Sequence, residues 1–469
     1  MKTLLIYPPC SPLLQGPKAQ AKTNMPLGLP YLAAFLKKEG HEVSILDLNI
    51  KIYLDAKEED RGLWHEKNGN FWSERNIFSN ELLPKLEPII VKWVDAILKS
   101  NSKVVGFYVA GTSQWMALLL AKKLREKNND IAIIFGGPGC YREKAEQFLR
   151  IGPVDAVVMG EGEVTILELL NSYKKTGRIE LCPGVFLMKS GEVIYGGERE
   201  FIKDLDGLPY PDFSDMIDDY KTIFGEGVWL SISWLRGCTH RCAFCYESRV
   251  WGPPRPRSPE SICREFFFQK QKYNIAMFNE GDSTLTFSEE MLSKTCDLLI
   301  NKEINVIWGS QARPEKYLTP ELMCKLYKAG CRWLSYGIES GSQAVVDRMK
   351  KGFLVKTAEG VMSSTQRAGI KLCVNIMVGS PGETLIDFIK TIQFVLKNIK
   401  SIDVLSLSSA AITPMSDWYL NPKEYGILMD DDPKKKRYYN SWRSKYFMDN
   451  RHIREIKKSL VKSIYNALS

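Results

Sequence analysis

No stretch of this 469-residue chain holds the run of about 18 apolar residues that a membrane-spanning helix needs, because Lys, Asn or Gly interrupts every candidate. The opening Met1-Lys2-Thr3-Leu4-Leu5-Ile6-Tyr7 meets Pro8-Pro9 before the h-region of a secretory signal can form. Internal repeats and low-complexity tracts are absent. So is a paired cysteine framework: the 11 cysteines are odd in number and mostly scattered, the pattern of reduced thiols with a few specialised ones. With 44% hydrophobic and 25% charged residues the chain can bury large cores, which excludes disorder and collagen-like repeats. A soluble cytoplasmic protein is expected. At roughly 100–200 residues per domain it is too long for one small module. Lys and Arg number 64 against 55 Asp and Glu, a net +9 spread widely, which suits an anionic ligand but does not point to nucleic acid.

Alternating strands and helices fill the first half. Strands are predicted at 2–7, 42–48, 104–109, 131–135 and 154–159, with helices at 29–38, 115–127, 143–149 and 164–175. Repeated strand-helix-strand units imply an α/β fold with a doubly wound, Rossmann-like parallel sheet. Residues 49–102, rich in charge and carrying Trp64, Trp72 and Trp93, break the pattern and read as a helical insertion covering that sheet. Around 204–219 the sequence Asp-Leu-Asp-Gly-Leu-Pro-Tyr-Pro-Asp has the Pro and Gly density of a linker. The expected division is a first domain at 1–200, a linker at 201–228, a second domain at 229–415 and a helical C-terminal region at 416–469. In the second domain, strands near 230–233, 275–278, 306–310, 333–337, 371–378 and 404–408 alternate with helical stretches. Six such units suggest a partial TIM-like (β/α)6 barrel, whose chemistry gathers at the C-terminal ends of its strands. The tail carries Asp430-Asp431-Asp432 and then Lys434-Lys435-Lys436-Arg437.

The strongest chemical signal is Arg236-Gly237-Cys238-Thr239-His240-Arg241-Cys242-Ala243-Phe244-Cys245, directly after the first strand of the second domain. A loop can wrap three thiols at this spacing around one inorganic centre. Against an iron–sulfur centre stand a structural zinc, which wants four Cys or His ligands, and three unrelated buried cysteines. His240 would have to complete a zinc set from between two of the thiols, where a tetrahedral wrap is awkward.

Cys-x3-Cys-x2-Cys with an aromatic before the last cysteine resembles the radical S-adenosylmethionine (SAM) superfamily. The resemblance implies that Cys238, Cys242 and Cys245 hold three irons of a [4Fe–4S] cluster, the fourth iron being left for the amino and carboxyl groups of SAM. Reduction by an external electron donor such as flavodoxin or ferredoxin would cleave SAM to methionine and a 5′-deoxyadenosyl radical. Further segments match in order along the barrel, and by resemblance they supply SAM contacts: Phe244, Glu280, Asp282 and Ser283, Ser310, Gln311 and Arg313, Glu339, and Val378 with Gly379 in the stretch lying against the adenine. Singly, each segment also reads as a loop with ordinary turn glycines and a solvated acid.

In the first domain, Leu27 and Gly28 open the first helix, Thr112 and Ser113 follow the third strand, Gly136-Gly137-Pro138-Gly139 the fourth, and Gly160-Glu161-Gly162-Glu163 the fifth. Ligands of open α/β sheets bind at the carboxyl ends of strands, and glycines there let a flat ligand approach the backbone. Taken in order, these turns resemble the cobalamin-binding domain fused to radical SAM enzymes, over roughly 1–415. None of His41, His65, His240 and His452 lies in an Asp-x-His-x-x-Gly sequence, so cobalt would not be ligated in that way. Cys10 and Cys140 sit at strand ends and read as packing or turn residues.

The resemblance implies an enzyme that methylates an unactivated carbon, or phosphorus, of a small molecule by way of methylcobalamin. A non-methylating cyclase or rearrangement enzyme is an alternative within the same superfamily. Another is an RNA methylthiotransferase, although Ala110-Gly111-Thr112 lacks the third N-terminal cysteine such enzymes carry. A fourth reading is a cobalamin or cluster sensor whose basic tail, at 434–437 and 451–462, meets nucleic acid, though no recognition motif accompanies it. Trp234, Tyr246, Trp251, Arg255, Arg257, Thr413, Trp418 and Tyr419 are candidates to line a substrate cavity or to pack.

Overall fold

Short apolar runs rich in Val and Ile become strands, and apolar residues at helical spacing become the helices between them. The computed structural model describes residues 1–15, 20–21, 25–281, 284–429, 442–445 and 451–468, and the chain divides into two units, Met1–Leu230 and Ser231–Ser469.

In the first unit the sheet is built from β1 (Lys2–Tyr7), β2 (Glu42–Asp47), β3 (Val104–Tyr108), β4 (Ala132–Gly136), β5 (Ala156–Val158), β6 (Val185–Lys189) and β7 (Glu192–Tyr195), in the order β2-β1-β3-β4-β5-β6-β7. The first five are parallel. Helices α1 (Gly28–Lys38), α4 (Gln114–Lys127), α5 (Arg142–Ile151) and α6 (Glu163–Thr176) alternate with them, while α2 (Leu48–Asp55) and α3 (Leu83–Lys99) belong to the insertion. The last two strands depart from the all-parallel expectation: β6 runs antiparallel to β5, and β7 to β6. Ser190 and Gly191, with φ of 51° and 83°, form the two-residue turn between them. Positive φ at both positions gives the turn the twist of the paired strands.

Strand order reverses between β1 and β3, and at such a switch point the carboxyl ends of the strands leave a ligand crevice. Tyr7 and Tyr108 end these two strands and stack with ring centroids 4.9 Å apart. The 204–219 stretch is fastened back onto this unit: Lys37 pairs with Asp212 at 2.8 Å, Lys51 with Asp219 at 2.7 Å, and Asp215 accepts the Ile45 amide at 2.9 Å. Ile45 lies on β2, the sheet's edge, so this contact also covers an edge amide. In the insertion, Trp64 and Trp72 are fully buried, and their indole N–H groups donate to Asn49 Oδ1 at 2.8 Å and to the Leu63 carbonyl at 2.9 Å.

The second unit contains β8 (Leu230–Ile232), β9 (Met277–Glu280), β10 (Ile307–Ala312), β11 (Cys331–Glu339), β12 (Lys371–Val378) and β13 (Val404–Ser409), adjacent in chain order. From β9 to β13 every neighbouring pair is parallel. The connecting helices are α7 (Pro259–Tyr273), α8 (Glu289–Asn301), α9 (Pro320–Lys328), α10 (Val355–Arg367) and α11 (Leu385–Asn398). Ser258, Ser288, Thr319 and Thr384 cap α7, α8, α9 and α11, each side chain accepting an amide of the first turn. Beyond β13 the chain is not purely helical: Ile427–Met429 pairs antiparallel with Trp442–Ser444 before α12 (Arg451–Leu468) packs along β13.

One buried acid ties the carboxyl edge of the first sheet together. Asp47, ending β2, accepts the Ile50 amide at 3.2 Å and the Tyr220 hydroxyl at 3.2 Å. Burial outweighs these bonds and pushes its pKa up to about 7. Between the ordinary carboxylate value and about 7, the folded state therefore binds the proton that the unfolded state has released, so the contribution of Asp47 to stability is greatest in acid and is lost as pH rises through that window. Melting curves from pH 4 to 8 should show Asp47→Asn gaining on the parent protein as pH rises; parallel curves would refute this account.

Candidate functional site

The cysteine loop leaves β8 and folds back on itself. Cys238, Cys242 and Cys245 are half-buried and free of disulfides. Gly237 has φ +86°, and a Cβ there would stand 2.3 Å from the Pro253 carbonyl oxygen, so only glycine permits this approach. Ala243, wholly buried between the second and third cysteines, donates its amide to Met349 at 2.9 Å and accepts the Trp418 amide at 3.0 Å. Its methyl group joins a small core with Val345, Met349, Ala410, Ile412 and Trp418. Beside it, Phe244 tilts against Trp418 with centroids 5.8 Å apart.

Cations crowd the thiols. Arg313 Nη1 lies 3.6 Å from Cys242 Sγ, while its Nε meets Glu315 at 3.1 Å and its Nη2 donates to the Lys351 carbonyl. Lys351 is buried, with Nζ 3.3 Å from Glu339 Oε1 and 5.4 Å from the Phe244 ring centre. His240 approaches Glu315 at 3.5 Å, but burial, with Arg313 and Lys351 nearby, pulls its pKa down to about 4. Burial is also the main cause that raises the Cys238 thiol and pushes Cys245 up to about 12. The shifts favour the protonated thiols, and a bound metal centre would take those protons' place. Among the described residues, no three His, Cys, Asp or Glu groups gather as they would around a single metal ion. His240 turns its Nε2 toward Glu315 Oε1.

The remaining barrel residues lie at the carboxyl ends of successive strands. Glu280, ending β9, is buried and receives the Ser310 hydroxyl from β10. Gln311 is exposed, and its carbonyl accepts the Leu285 amide at 3.0 Å. Glu339 ends β11 with φ +69°, a left-handed conformation rare for a side chain of this size. Val378, buried, ends β12, and the Gly379 amide donates to Glu383 Oε2 at 2.8 Å. Asp282 and Ser283 lie outside the described residues, as do Asp430-Asp431-Asp432 and Lys434-Lys435-Lys436-Arg437.

In the first unit, Leu27 and Gly28 precede and open α1, next to the switch point. Gly111 and Gly160 have no neighbour within 4 Å of where a Cβ would stand. A Cβ on Gly137 or Gly139 would lie 2.9 or 3.0 Å from the Val109 carbonyl oxygen, so those glycines serve the packing of their own turn, with Gly136 and Pro138 in the same segment. Ser113 Oγ accepts the Ala110 amide at 2.8 Å, closing the turn that contains Thr112. Glu161 is buried and binds the Ile202 amide at 2.8 Å. Gly162 backs onto Leu32, and Glu163, also buried, opens α6. Cys10 and Cys140 are buried, and His41 bonds Asn171 at 3.1 Å.

Sequence reasoning missed Lys351, Glu315, Thr286 and Phe353, whose ring centre lies 5.6 Å from the Arg313 guanidinium carbon. Thr286 accepts the Arg313 amide at 2.8 Å and so locks the loop after β9 to the end of β10. Lys351 follows Lys350 in the chain, and no local pattern marks the buried one. Part of the basic tail is consumed internally: Arg454 is buried 4.2 Å over the Trp442 ring, and Lys457 pairs with Glu383. Among the cavity candidates, Trp234 is buried, and Arg257 bonds Glu265 and Ser261 within the core.

Residues 232–395 match the Radical SAM superfamily, and the chain carries a radical SAM domain there. An uncharacterized methyltransferase of Pyrococcus horikoshii is 25% identical over 403 residues, covering 85% of this chain and 78% of the relative. An anaerobic magnesium-protoporphyrin IX monomethyl ester cyclase of Synechocystis is 21% identical over 442 residues, covering 92% and 80%. Among solved structures, the radical SAM methyltransferase TsrM of Kitasatospora setae, with cobalamin and a [4Fe-4S] cluster bound, shares the fold at a TM-score of 0.68 and 16% identity over 92% of this chain and 81% of TsrM. Among the described residues no helix is long and apolar enough to cross a membrane.

Gly237→Ala should strain the loop by ~1–3 kcal/mol and lower the iron bound per chain after anaerobic reconstitution, with the circular dichroism of the rest of the fold retained. Full iron loading in that variant would show that the close approach at Pro253 is dispensable.

Proposed function

Because the chain carries a radical SAM domain, we propose that it is a cobalamin-dependent radical SAM enzyme that methylates an unactivated carbon, or phosphorus, of a small molecule. The observation that carries the reading is the thiol loop at the carboxyl end of β8, pinned through Ala243 and bordered by Arg313 and Lys351. Cys238, Cys242 and Cys245 would hold the cluster: three uncrosslinked thiols in a loop that only Gly237 allows to close suit that donor set. When bound, the cluster delivers the electron that splits SAM into methionine and an adenosyl radical, and cobalamin supplies the methyl group.

The chain's own residues bind and orient. Lys351 and Arg313 offer cations to the methionyl carboxylate, and Glu280 and Glu339, both buried, offer carboxylates to the amino group and ribose. Phe244 closes one side of the loop, and the backbone at Val378 and Gly379 presents a flat surface to the adenine. In the first unit, the open Cα faces of Gly111 and Gly160 and the Tyr7–Tyr108 stack at the switch point support a corrin site at the carboxyl edge of the sheet. An electron donor of the flavodoxin or ferredoxin type completes the requirement. The similarity to a ring-forming cyclase favours a second reading, in which a radical at the substrate closes a ring without methyl transfer.

Reconstituting the protein anaerobically with iron, sulfide and cobalamin, then adding reductant and SAM with a deuterated methyl group, separates the two. S-adenosylhomocysteine with label on the corrin is expected. 5′-Deoxyadenosine alone, with unlabelled cobalamin, would favour the cyclase, and neither product would overturn both. Cys242→Ala should abolish 5′-deoxyadenosine formation. Arg313→Gln removes a charged donor next to Cys242 and should lower the cluster's reduction potential by tens of millivolts, on the order of 1 kcal/mol. Electron paramagnetic resonance in a redox titration measures that shift, and an unchanged potential would sink the role given to Arg313.

A further inference from the structure

The C-terminal helix α12, outside the matched radical SAM segment, reaches back to the turn that follows β12. Lys457 Nζ lies 2.9 Å from Glu383 Oε2, and the same oxygen accepts the Gly379 amide at 2.8 Å. Glu383 has no exposed side-chain surface and Lys457 only 14%, so the pair is held out of water. Lys457 also lies 5.5 Å over the Phe388 ring of α11. Two further bonds fasten α12 to the same sheet. Ser409, at the carboxyl end of β13, donates to Glu455 at 2.6 Å, and the Tyr465 hydroxyl donates to the Ile402 carbonyl at 3.0 Å, before the amino end of β13.

We propose that α12 is a positioning element for SAM, with Lys457 acting through Glu383 on the Gly379 amide. The proposal rests on the reading of Val378 and Gly379 as the adenine-facing backbone. Gly379 has φ +71°, a left-handed turn residue whose amide is held by this charged acceptor. Removing the ammonium takes away a positive charge 2.9 Å from a buried carboxylate, which favours its taking up a proton. A neutral acid holds the amide less firmly. The turn then has more freedom to lose when the nucleoside docks, and affinity falls.

The test uses the full chain as Lys457→Met, Lys457→Arg and Tyr465→Phe, with two readouts: amide hydrogen exchange over 376–384 without ligand, and SAM binding to the anaerobically reconstituted protein by equilibrium dialysis. Lys457→Met should exchange faster over 376–384 and bind SAM on the order of tenfold more weakly. Lys457→Arg should restore both toward the parent values. Tyr465→Phe, which loosens the far end of the same helix, should change neither. Unchanged exchange in Lys457→Met, or faster exchange with SAM affinity intact, overturns the proposal. A parent protein that binds no SAM while Lys457→Met still exchanges faster overturns the SAM reading instead and leaves only the structural brace. Should Lys457→Met fail to fold, Ser409→Ala frees the neighbouring anchor and should move both readouts in the same direction by less; no movement in either overturns the proposal.

Discussion

Ala243 has no reactive group, yet the placement of the thiols depends on it. Both sides of its backbone are engaged, the amide by the end of the segment after β11 and the carbonyl by the segment after β13. Its side chain is the only part that could grow, and it is buried among Val345, Met349, Ala410, Ile412 and Trp418. A residue so held cannot shift without moving Cys242 on one side and Phe244 and Cys245 on the other. The loop therefore owes its shape to distant parts of the barrel, brought to one place by the parallel order of the strands. This is why chemistry in such folds sits where strands end: several independent segments can grip one loop there.

Electrostatic balance is the second constraint. Burial raises the thiols of Cys238 and Cys245 and disfavours protonation of His240, so these three groups of the loop favour their uncharged forms. The charges around it are fixed elsewhere, on Arg313 and Lys351, and each has an acidic partner close by in Glu315 or Glu339. Charged groups held in pairs remain charged in a half-buried setting, where an isolated one would shift its pKa or draw in water. The first unit solves a different problem. Its carboxyl edge carries the stacked rings of Tyr7 and Tyr108 and buried acids that are held by hydrogen bonds, Asp47 after β2 by the Tyr220 hydroxyl and Glu161 after β5 by the Ile202 amide.

Much of this was legible in the sequence because its determinants are local. Each barrel strand is an apolar run that stands apart from amphipathic helices, and all six fall within a few residues of where periodicity places them. The cysteine spacing needs no tertiary information at all. What escaped was decided by partners far along the chain. Lys350 and Lys351 look alike in sequence, but the first pairs with Asp417 at the surface while the second is buried against Glu339. Glu280 and Ser310 each read as a ligand contact, and only the folded register of β9 beside β10 shows that they also bond each other. The β6–β7 hairpin was missed for another reason: two short apolar runs flanking Ser190-Gly191 carry a turn signal weaker than Asn-Gly, inside a region dominated by alternating helices.

The segment after the matched domain shows how far the functional unit extends. Nothing in the composition of α12 distinguishes it from a solvated basic helix, since its cations are spaced like those of any charged amphipathic stretch. Two of them nonetheless face inward, Arg454 onto Trp442 and Lys457 onto Glu383. Trp442 in turn donates its indole N–H to the Ala410 carbonyl and belongs to the core that holds Ala243. Through these contacts the tail is continuous with the packing under the cysteine loop and with the turn at Gly379. A half-open barrel leaves its last strand without a following unit to brace it, and α12 lies against that strand, supplying apolar cover and counter-charge together.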